Sequence, residues 1–349
     1  MNPDPRKRVL RVILFCLAIL VLYKVFDNNE HKLESVQVTG QTMGTVPYNV
    51  KYRMFNPVNY KTSIDSLLRA FNQSLSTYIP GSEISVFNQN DTLVYETYHF
   101  PRVLQSSEKV FEQLDGAFDP TIGPLVNAWG FGPDRPMPSL DSARVDSLLD
   151  FVGFNEISFN EQYATKQPGV YLDFSAIAKG YAVDLVAEFL AEKGVQHYMV
   201  EIGGEVSARG VNAKGNTWAI GIENPLVERD EQEVFLIVKL DGISVATSGN
   251  YRTYYEKEGM IYAHIIDPRT GYNAEHDLLS ASVFATDCMT ADAYATGFMV
   301  MGLDPAIQEV KKNKKIEAIF IYRDEDGTIK TYISEGIQDK ILKNKADEA

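Results

Sequence analysis

The amino-acid sequence predicts an α+β fold, with mainly antiparallel sheets and packed helices in a single domain over residues 37–340. One observation is that short runs of β-branched and aromatic residues, separated by turn residues, fill most of the second half of the chain. Another is that a few longer segments carry apolar residues at helical spacing. A third is that no repeat of fixed period and no hinge rich in Pro, Gly and Ser divides this region, so one domain is the simplest interpretation.

The composition argues against one class of function. Hydrophobic residues make up 45% of the 349 residues and charged residues 23%, which is ordinary globular usage. The 33 basic and 47 acidic residues give a net charge of −14, which argues against a nucleic-acid surface. An anionic ligand would therefore need a local device, such as a metal ion, a helix N-terminus or a placed lysine.

The N-terminal segment predicts a membrane anchor at residues 9–26 behind a basic tail at residues 1–8. Because basic residues cluster between positions 6 and 11, the tail is expected in the cytoplasm. The domain is then expected on the other side of the membrane to which it is attached. A cleaved signal peptide is the alternative, since the uninterrupted apolar core at residues 12–23 is only twelve residues long. No small-residue cleavage site follows it, which favours the uncleaved anchor.

The segments that flank the domain are polar. Residues 27–36 are expected to form a linker and residues 341–349 a polar tail. The chain has only two cysteines, Cys16 and Cys288. Because Cys16 lies in the predicted anchor, no disulfide is expected within the domain.

The first half of the domain alternates between strand and helix. Residues 46–55 (VPYNVKYRMF) predict a strand, and residues 106–118 (SSEKVFEQLDGAF) predict a helix that ends at its glycine. Between them, helical spacing is seen at Ile64, Leu67, Leu68, Phe71 and Leu75. Residues 169–194 predict a strand that runs into a helix, with Ser175 as its N-cap and Gly194 as its stop.

Short strands dominate the second half. They are HYMVEIGG, EVSARG, TWAIGIENP, VFLIVKL, GISVATSG, YRTYYE, MIYAHIIDP and LLSASVFATDC. A helix that contains ADAYAT follows, and KIEAIFIY and KTYISEG close the chain as a hairpin across DEDG. This order of elements is typical of a mainly antiparallel sheet.

Three stretches in the first half could present residues to a ligand. Two glycines around Met43 would let the backbone approach a flat ligand closely. Tyr78 lies at an element boundary, just before Pro80. Asp119 precedes a proline within residues 116–132, a loop shaped by Gly and Pro. For each stretch, a turn with ordinary core packing is the alternative interpretation.

Other residues have side chains that could contact a bound ion. Lys179 lies in the first turn of its helix, where a cation opposes the macrodipole unless a phosphate binds there. Asp292 and Thr296 are one helical turn apart, so two oxygen ligands could point at one spot. The alternative is a first-turn acid with Thr290 as the N-cap. His264 precedes a turn, and a lone histidine is more often structural.

Six stretches, taken together and in this order, resemble the FAD:protein FMN transferases of the ApbE family. They are TMGT, STYxPxSEISxFN, GxFDPTxGPLVNxWGFG, LDFSAIAKGYAVD, EIGGEV with WxIGIExP, and ATSGxYR…HIIDPRTG…ADAxAT. The resemblance implies a Mg²⁺-dependent transfer of the FMN part of FAD to a threonine hydroxyl of an acceptor flavoprotein. The product would be a phosphoester, and AMP would be released.

The resemblance also implies roles for individual residues. Those that match FAD contacts are Met43, Tyr78, Ala117, Phe118, Asp119, Asp173, Lys179 and Ile266. Those that match the magnesium site are Ala176, through its carbonyl, and the side chains of Asp292 and Thr296. The metal and Lys179 would stabilise charge on the transferring and leaving oxygens, and His264 is the candidate for removing the threonine proton. Two positions depart from some family members, which carry a carboxylate in place of Ala295 and an acid in place of Lys179.

The implied acceptors are exported or membrane subunits of redox pumps and related flavoproteins. Two other functions stay open. An FAD pyrophosphatase would use the same residues but let water attack, giving FMN and AMP. A membrane-tethered flavin-binding protein would lack catalysis, although binding alone does not need Mg²⁺ between the phosphates.

Overall fold

The computed structural model describes residue 9 and residues 13–21, 33–132, 141–227, 233–249, 254–257, 260–263 and 265–344. Its side chains are described up to residue 249 and from 265 to 342, within those ranges. In this part of the chain, no helix is both long enough and apolar enough to cross a membrane. The first helix covers residues 13–21, inside the predicted anchor, and the residues next to it lie outside the described ranges. The anchor therefore stays a prediction.

The strands and helices follow each other along the whole domain. The strands are β1 (Glu34–Thr42), β2 (Val46–Met54), β3 (Thr92–Val94), β4 (Ile157–Phe159), β5 (Tyr163–Lys166), β6 (His197–Ile202), β7 (Glu205–Arg209), β8 (Trp218–Glu223), β9 (Val234–Leu240), β10 (Ile243–Gly249), β11 (Tyr254–Lys257), β12 (Met260–Ala263), β13 (Leu278–Ala285), β14 (Glu317–Arg323), β15 (Ile329–Ile333) and β16 (Ile341–Asn344). The α-helices are α1 (13–21), α2 (Lys61–Leu75), α3 (Glu83–Gln89), α4 (His99–Gln113), α5 (Gly123–Ala128), α6 (Ser142–Leu149), α7 (Ala178–Glu192), α8 (Cys288–Met301) and α9 (Leu303–Lys312). Short 3-10 helices cover Phe154–Glu156 and Glu335–Lys340.

A main sheet of eight strands organises the fold, in the order β1-β2-β6-β7-β10-β13-β14-β15. All of its ladders are antiparallel, which confirms the predicted α+β class. The closing hairpin is also confirmed, because Arg323 pairs with Ile329 across DEDG. Strand β1 begins at Glu34, so the last three residues of the segment predicted as linker are already in the sheet.

Both faces of the main sheet are buried, because alternate residues of its strands point to opposite sides. On β14, Phe320 belongs to the main core with helices α7 and α8, whereas Ile319 belongs to a second core. The second core lies between the main sheet and a small sheet of β8, β9 and β16. The main core therefore fixes α7 and α8 against one face of a rigid sheet.

The start of α7 differs from the prediction. Its N-cap is Ile177, which makes no side-chain cap bond, so the predicted cap at Ser175 is wrong. Ser175 instead donates its amide to Asp173 Oδ1 at 2.8 Å, in a turn that precedes the helix. The predicted strand before it is reduced to an isolated bridge at Tyr171. The stop at Gly194 is confirmed, since its φ is 76° and its amide bonds Ala191 O at 2.9 Å.

The start of α8 also differs from the prediction. Its N-cap is Asp287, whose side chain accepts from the amide of Thr290 at 2.8 Å. Thr290 is therefore capped rather than capping, and Asp292 lies in the second turn. The interpretation of Asp292 as an ordinary first-turn acid does not hold.

The helices of the first half differ from the prediction in extent and number. Helix α4 begins at His99, seven residues before the predicted segment, and Pro101 falls in its first turn, where proline is tolerated. Helix α5 forms inside the predicted Gly/Pro-shaped loop, with its proline in the first turn. Helices α3, α6 and α9 and the small sheet of β3, β5 and β4 complete the domain.

Candidate functional site

A cluster of three charged side chains joins α7, β7 and α8. Lys179 donates from Nζ to Glu205 Oε1, and its Nζ lies 3.7 Å from Asp292 Oδ1. The side chains of Glu205 and Asp292 are 1% and 3% exposed, whereas that of Lys179 is 32% exposed. One ammonium group therefore reaches the surface from between two buried carboxylates.

The cluster carries an excess of negative charge. Burial raises the pKa of Glu205 to about 7, and the charge of Asp292 adds to this rise, while Lys179 opposes it. Glu205 Oε2 is buried and has no hydrogen-bond partner within the described residues. Two carboxylates with a single lysine form a site that would be stabilised by further positive charge.

Asp292 is held in place by the other helix. Its Oδ2 accepts from the amide of Gly180 in the first turn of α7, at 2.9 Å. A Cβ atom at position 180 would lie 2.2 Å from the carbonyl oxygen of Cys288 and 2.8 Å from the Cβ of Asp292. Only glycine lets the two helices approach this closely without a shift.

Thr296 lies one turn further along α8, beside β10. Its Oγ1 is 3.3 Å from the Oγ of Ser248, a residue of β10. Ala176 lies two residues before the start of α7, partly buried against the main core. The structure thus brings Asp292 and Thr296 to one side of α8 and puts Ala176 at the start of the helix that Asp292 contacts.

The chemistry of these donors fits a hard cation. The described residues contain no group of three His, Cys, Asp or Glu side chains that could hold a metal ion. Mg²⁺, however, prefers oxygen ligands and commonly takes only a few from protein, the rest from phosphates and water. A carboxylate, a hydroxyl and a carbonyl, next to the unpaired oxygen of Glu205 in a site of excess negative charge, suit such an ion.

Asp173 and Tyr78 form a second group of the predicted site residues. Asp173 is buried just before α7, and burial raises the pKa of its carboxyl, while the hydrogen bonds from Ser175 oppose the rise. Tyr78 is 69% exposed. Partial burial, and then the negative charge of Asp173, raises the pKa of the Tyr78 phenol. Tyr78 thus lies in a turn and presents an exposed ring near a buried acid.

Asp119 anchors the loop in which it lies. Its Oδ1 accepts from the amide and hydroxyl of Thr121 at 2.8 and 2.6 Å, and its Oδ2 accepts from the amide of Phe154 at 3.1 Å. Burial raises the pKa of Asp119 to about 6 against these bonds. Ala117 and Phe118, just before it, are buried in the main core. This carboxylate therefore shapes the chain around the site.

Of the remaining predicted residues, two lie within the described part of the chain. Met43 has a left-handed backbone, with φ of 46°, in the turn between β1 and β2, and it packs partly against the main core. Ile266 is buried in a third core with Leu125 and Val145, so its side chain is enclosed by protein. His264 lies outside the described residues.

Glu205 and Ser248 were not predicted as site residues. Glu205 follows Gly203 and Gly204, whose φ values of 65° and 106° turn the chain from β6 into β7. An acid directly after a Gly-Gly turn, at the start of an apolar strand, is a usable signal in the sequence. Lys179 and Glu205 are 26 positions apart, so no local pattern shows their contact.

Comparisons with known proteins agree on one family. The model of the ApbE family matches residues 43–320. A relative in Haemophilus influenzae, an FAD:protein FMN transferase, is 39% identical over 308 residues, which cover 84% of this chain and 88% of that protein. The solved flavin transferase ApbE from Vibrio cholerae has a TM-score of 0.79 at 35% identity, covering 88% of this chain and all of that one (100%). The apo flavinyl transferase ApbE of Pseudomonas stutzeri has a TM-score of 0.78 at 33% identity, covering 88% and 96%.

Proposed function

The chain belongs to the ApbE family of flavin transferases, and on that premise we propose that it moves the FMN part of FAD onto a threonine hydroxyl of an acceptor protein. Flavin transfer itself follows from relatives that match most of this chain and are FAD:protein FMN transferases. The threonine acceptor, the release of AMP and the need for Mg²⁺ are the finer parts that the proposal adds.

The charged cluster at the start of α7 carries the proposal. FAD is joined at its centre by a pyrophosphate, and a helix start with a lysine in its first turn suits that anion. Lys179 is the cationic member of the cluster and its side chain is the most exposed of the three. Glu205, buried beneath it, would hold its ammonium group in a fixed place for the phosphate oxygens.

Magnesium would resolve the conflict between a pyrophosphate and two buried carboxylates. The residues proposed to hold it are Asp292, Thr296 and Ala176, the last through its carbonyl. A bound Mg²⁺ would supply Lewis-acid stabilisation of charge on the phosphate oxygens. Without added positive charge, repulsion from Glu205 and Asp292 would oppose FAD binding at this place.

The proposed reaction is a phosphoryl-type transfer with balanced bonds. The threonine oxygen of the acceptor forms a bond to the FMN-side phosphorus, and the bond from that phosphorus to the bridging oxygen breaks. AMP leaves with the bridging oxygen, and the proton of the threonine hydroxyl passes to a base. We propose that His264 of this chain is that base. Lys179 would offset charge that develops on the phosphate oxygens.

We further propose that the domain works on the periplasmic side of a bacterial inner membrane. The basic residues between positions 6 and 11 and the apolar segment after them support this placement. An exported flavoprotein subunit of a redox pump is the proposed partner. N-terminal sequencing of the mature protein should find a chain that still includes residues 9–26. A mature start beyond residue 27 would show a cleaved signal instead.

Mass spectrometry of an acceptor tests the activity. The purified protein is incubated with FAD, Mg²⁺ and an exported flavoprotein subunit from the same organism, alongside the subunit with its acceptor threonine changed to valine. The expected result is a gain of one FMN group on the first subunit, none on the second, and one AMP released for each FMN attached. EDTA should abolish the gain, since the chelator removes the proposed metal.

The same experiment separates transfer from hydrolysis. A pyrophosphatase would release free FMN and AMP at equal rates with or without the subunit. A flavin-binding protein without catalysis would release no AMP. Either outcome would replace the transferase proposal for this chain.

A further inference from the structure

Asp184 is a buried acid that the proposed reaction does not use. It lies on α7, and its Oδ1 accepts from the amide of Cys288 at 2.7 Å while its Oδ2 accepts from the amide of Met289 at 2.8 Å. Cys288 and Met289 are the first two residues of α8, whose amides have no carbonyl partner inside that helix. A side chain of one helix therefore caps the start of its neighbour.

The reverse contact exists as well. The amide of Gly180, in the first turn of α7, donates to Asp292 of α8 at 2.9 Å. Gly180 and Asp184 are four residues apart, and so are Cys288 and Asp292. In its first turn, α7 thus offers one amide and α8 offers two, and each helix offers one carboxylate to the other helix. We call this arrangement the reciprocal cap.

The reciprocal cap is distinct from the ordinary cap of α8. Asp287 precedes the helix and bonds the amide of Thr290 at 2.8 Å, a donor that Asp184 does not serve. This bond stays within the chain segment that forms α8, whereas the bonds of Asp184 tie α7 and α8 together. The two acids therefore differ in what they fix, although both cap the same helix.

The two amides offset only part of the cost of burying the charge of Asp184. Burial raises the pKa of Asp184 to about 7, while the bonds from Cys288 and Met289 act in the opposite direction. A buried carboxylate that receives two amide donors at good distance is a strong constraint on their position.

We infer that Asp184 is a positioning residue for flavin transfer, which locks the start of α8 against α7 so that Asp292 stays beside Lys179. The effect on catalysis rests on the proposed function, whereas the contact that locks the two helices together rests on geometry alone. If Asp184 no longer holds the amides of α8, the start of that helix can move away from α7. The bond from Gly180 to Asp292 then lengthens, and the carboxylate leaves the position proposed for metal binding.

Hydrogen–deuterium exchange of the full chain, without FAD or added metal, tests the lock. Asp184→Asn is compared with Asp287→Asn at about pH 8, above the pKa of Asp184. In Asp184→Asn, we expect exchange to rise about tenfold or more in two separate peptides, one at the start of α8 and one that contains Gly180. In Asp287→Asn, whose side-chain oxygen can still accept from the amide of Thr290, any rise should be smaller and confined to the start of α8.

The consequence for the reaction is measured with the same two variants. The Mg²⁺ concentration for half-maximal transfer should rise about tenfold to a hundredfold in Asp184→Asn, as for residues that orient metal ligands, and excess Mg²⁺ should restore most of the rate. In Asp287→Asn it should stay within about twofold of the parent. A general loss of stability would instead lower the rates of both variants without shifting the magnesium requirement.

The outcomes separate the inference from the proposed function. If Asp184→Asn leaves exchange at Gly180 unchanged, the lock does not exist, whatever the activity. If the lock is seen but the parent transfers no flavin, only the proposed function fails. Should Asp184→Asn not fold, Asp184→Glu keeps the charge and displaces the carboxylate. It should show the same paired rise in exchange, and a rise at α8 alone would overturn the inference.

Discussion

A single methyl group at position 180 should disable the site while leaving the fold almost intact. In Gly180→Ala, the added Cβ would lie 2.2 Å from the carbonyl oxygen of Cys288, 2.6 Å from its carbonyl carbon and 2.8 Å from the Cβ of Asp292. The first two atoms belong to the backbone of α8, so no side-chain rotation relieves the overlap. The two helices must separate.

The size of the separation follows from the contact distances. Ordinary van der Waals contact begins at 3.4 Å, so the carbonyl of Cys288 must retreat by roughly 1 Å. The bond from the Gly180 amide to Asp292, now 2.9 Å, would lengthen beyond hydrogen-bonding distance. Overpacking costs about 1–3 kcal/mol, and alanine regains about 1 kcal/mol of helix propensity over glycine. The net loss of stability is therefore about 0–2 kcal/mol.

The effect on activity should be much larger than the effect on stability. A displacement of about 1 Å at a reacting site costs about a hundredfold in rate. The assay is the initial rate of flavin attachment to the acceptor, measured beside the free energy of unfolding from urea titration. Ile319→Val is the matched control, because Ile319 is buried in the second core, on the opposite face of the main sheet from α7 and α8. Its expected loss of stability, about 0.5–1.5 kcal/mol, lies within the range expected for Gly180→Ala.

We expect Ile319→Val to keep the parental rate and Gly180→Ala to lose about a hundredfold at equal or smaller loss of stability. If both variants lose rate in proportion to their loss of stability, the close approach of the helices has no special role. If Gly180→Ala transfers flavin at the parental rate, the reaction does not depend on the position in which the Gly180 amide holds Asp292.

Three further changes probe the charges of the site. Asp292→Asn keeps the side-chain volume but removes the charge that favours a cation. The rate of flavin transfer should therefore fall about a hundredfold or more and recover in part at high Mg²⁺. Unaltered kinetics would mean that Asp292 only links the two helices. Glu205→Gln should lower kcat about tenfold, because Lys179 loses its charged partner. The KM for FAD should be unchanged or lower, because the repulsion between position 205 and the phosphates decreases. A raised KM with unchanged kcat would contradict this. For Asp119, burial raises the pKa from 3.8 to about 6, so its contribution to stability is full below the lower value and is lost as pH rises through the higher one. The stability advantage of the parent over Asp119→Asn should therefore be largest below about pH 4 and shrink by about pH 7, and urea titrations that show a constant difference would refute the assignment.

The parts of the site that the sequence could predict are those that local spacing encodes. Asp292 and Thr296 share one side of α8 because four residues make about one helical turn, whatever surrounds the helix. Lys179 falls in the first turn of α7 for the same reason. The strands could be predicted because alternation of side chains on β6, β13 and β14 is likewise local, although burial of both faces blurs it.

Contacts between distant segments could not be predicted in the same way. Glu205 meets Lys179 only because α7 packs against β7 in the folded domain. The residue type gives no sign of its 1% exposure, since glutamate is normally a surface residue. Ser248 and Thr296 are joined across β10 and α8, which are neighbours only after the sheet has formed.

The failed predictions of helix starts carry information of their own. Ser175 is a good N-cap by residue type, yet α7 begins after Ile177 with no side-chain cap from its own segment. The first-turn amide of Gly180 is instead satisfied from α8, by Asp292. A local capping rule fails here because a partner distant in sequence has taken over its role, and that partner is the residue proposed to hold the metal. Violations of local rules tend to concentrate at functional sites, and the start of α7, which carries Lys179, is one such violation.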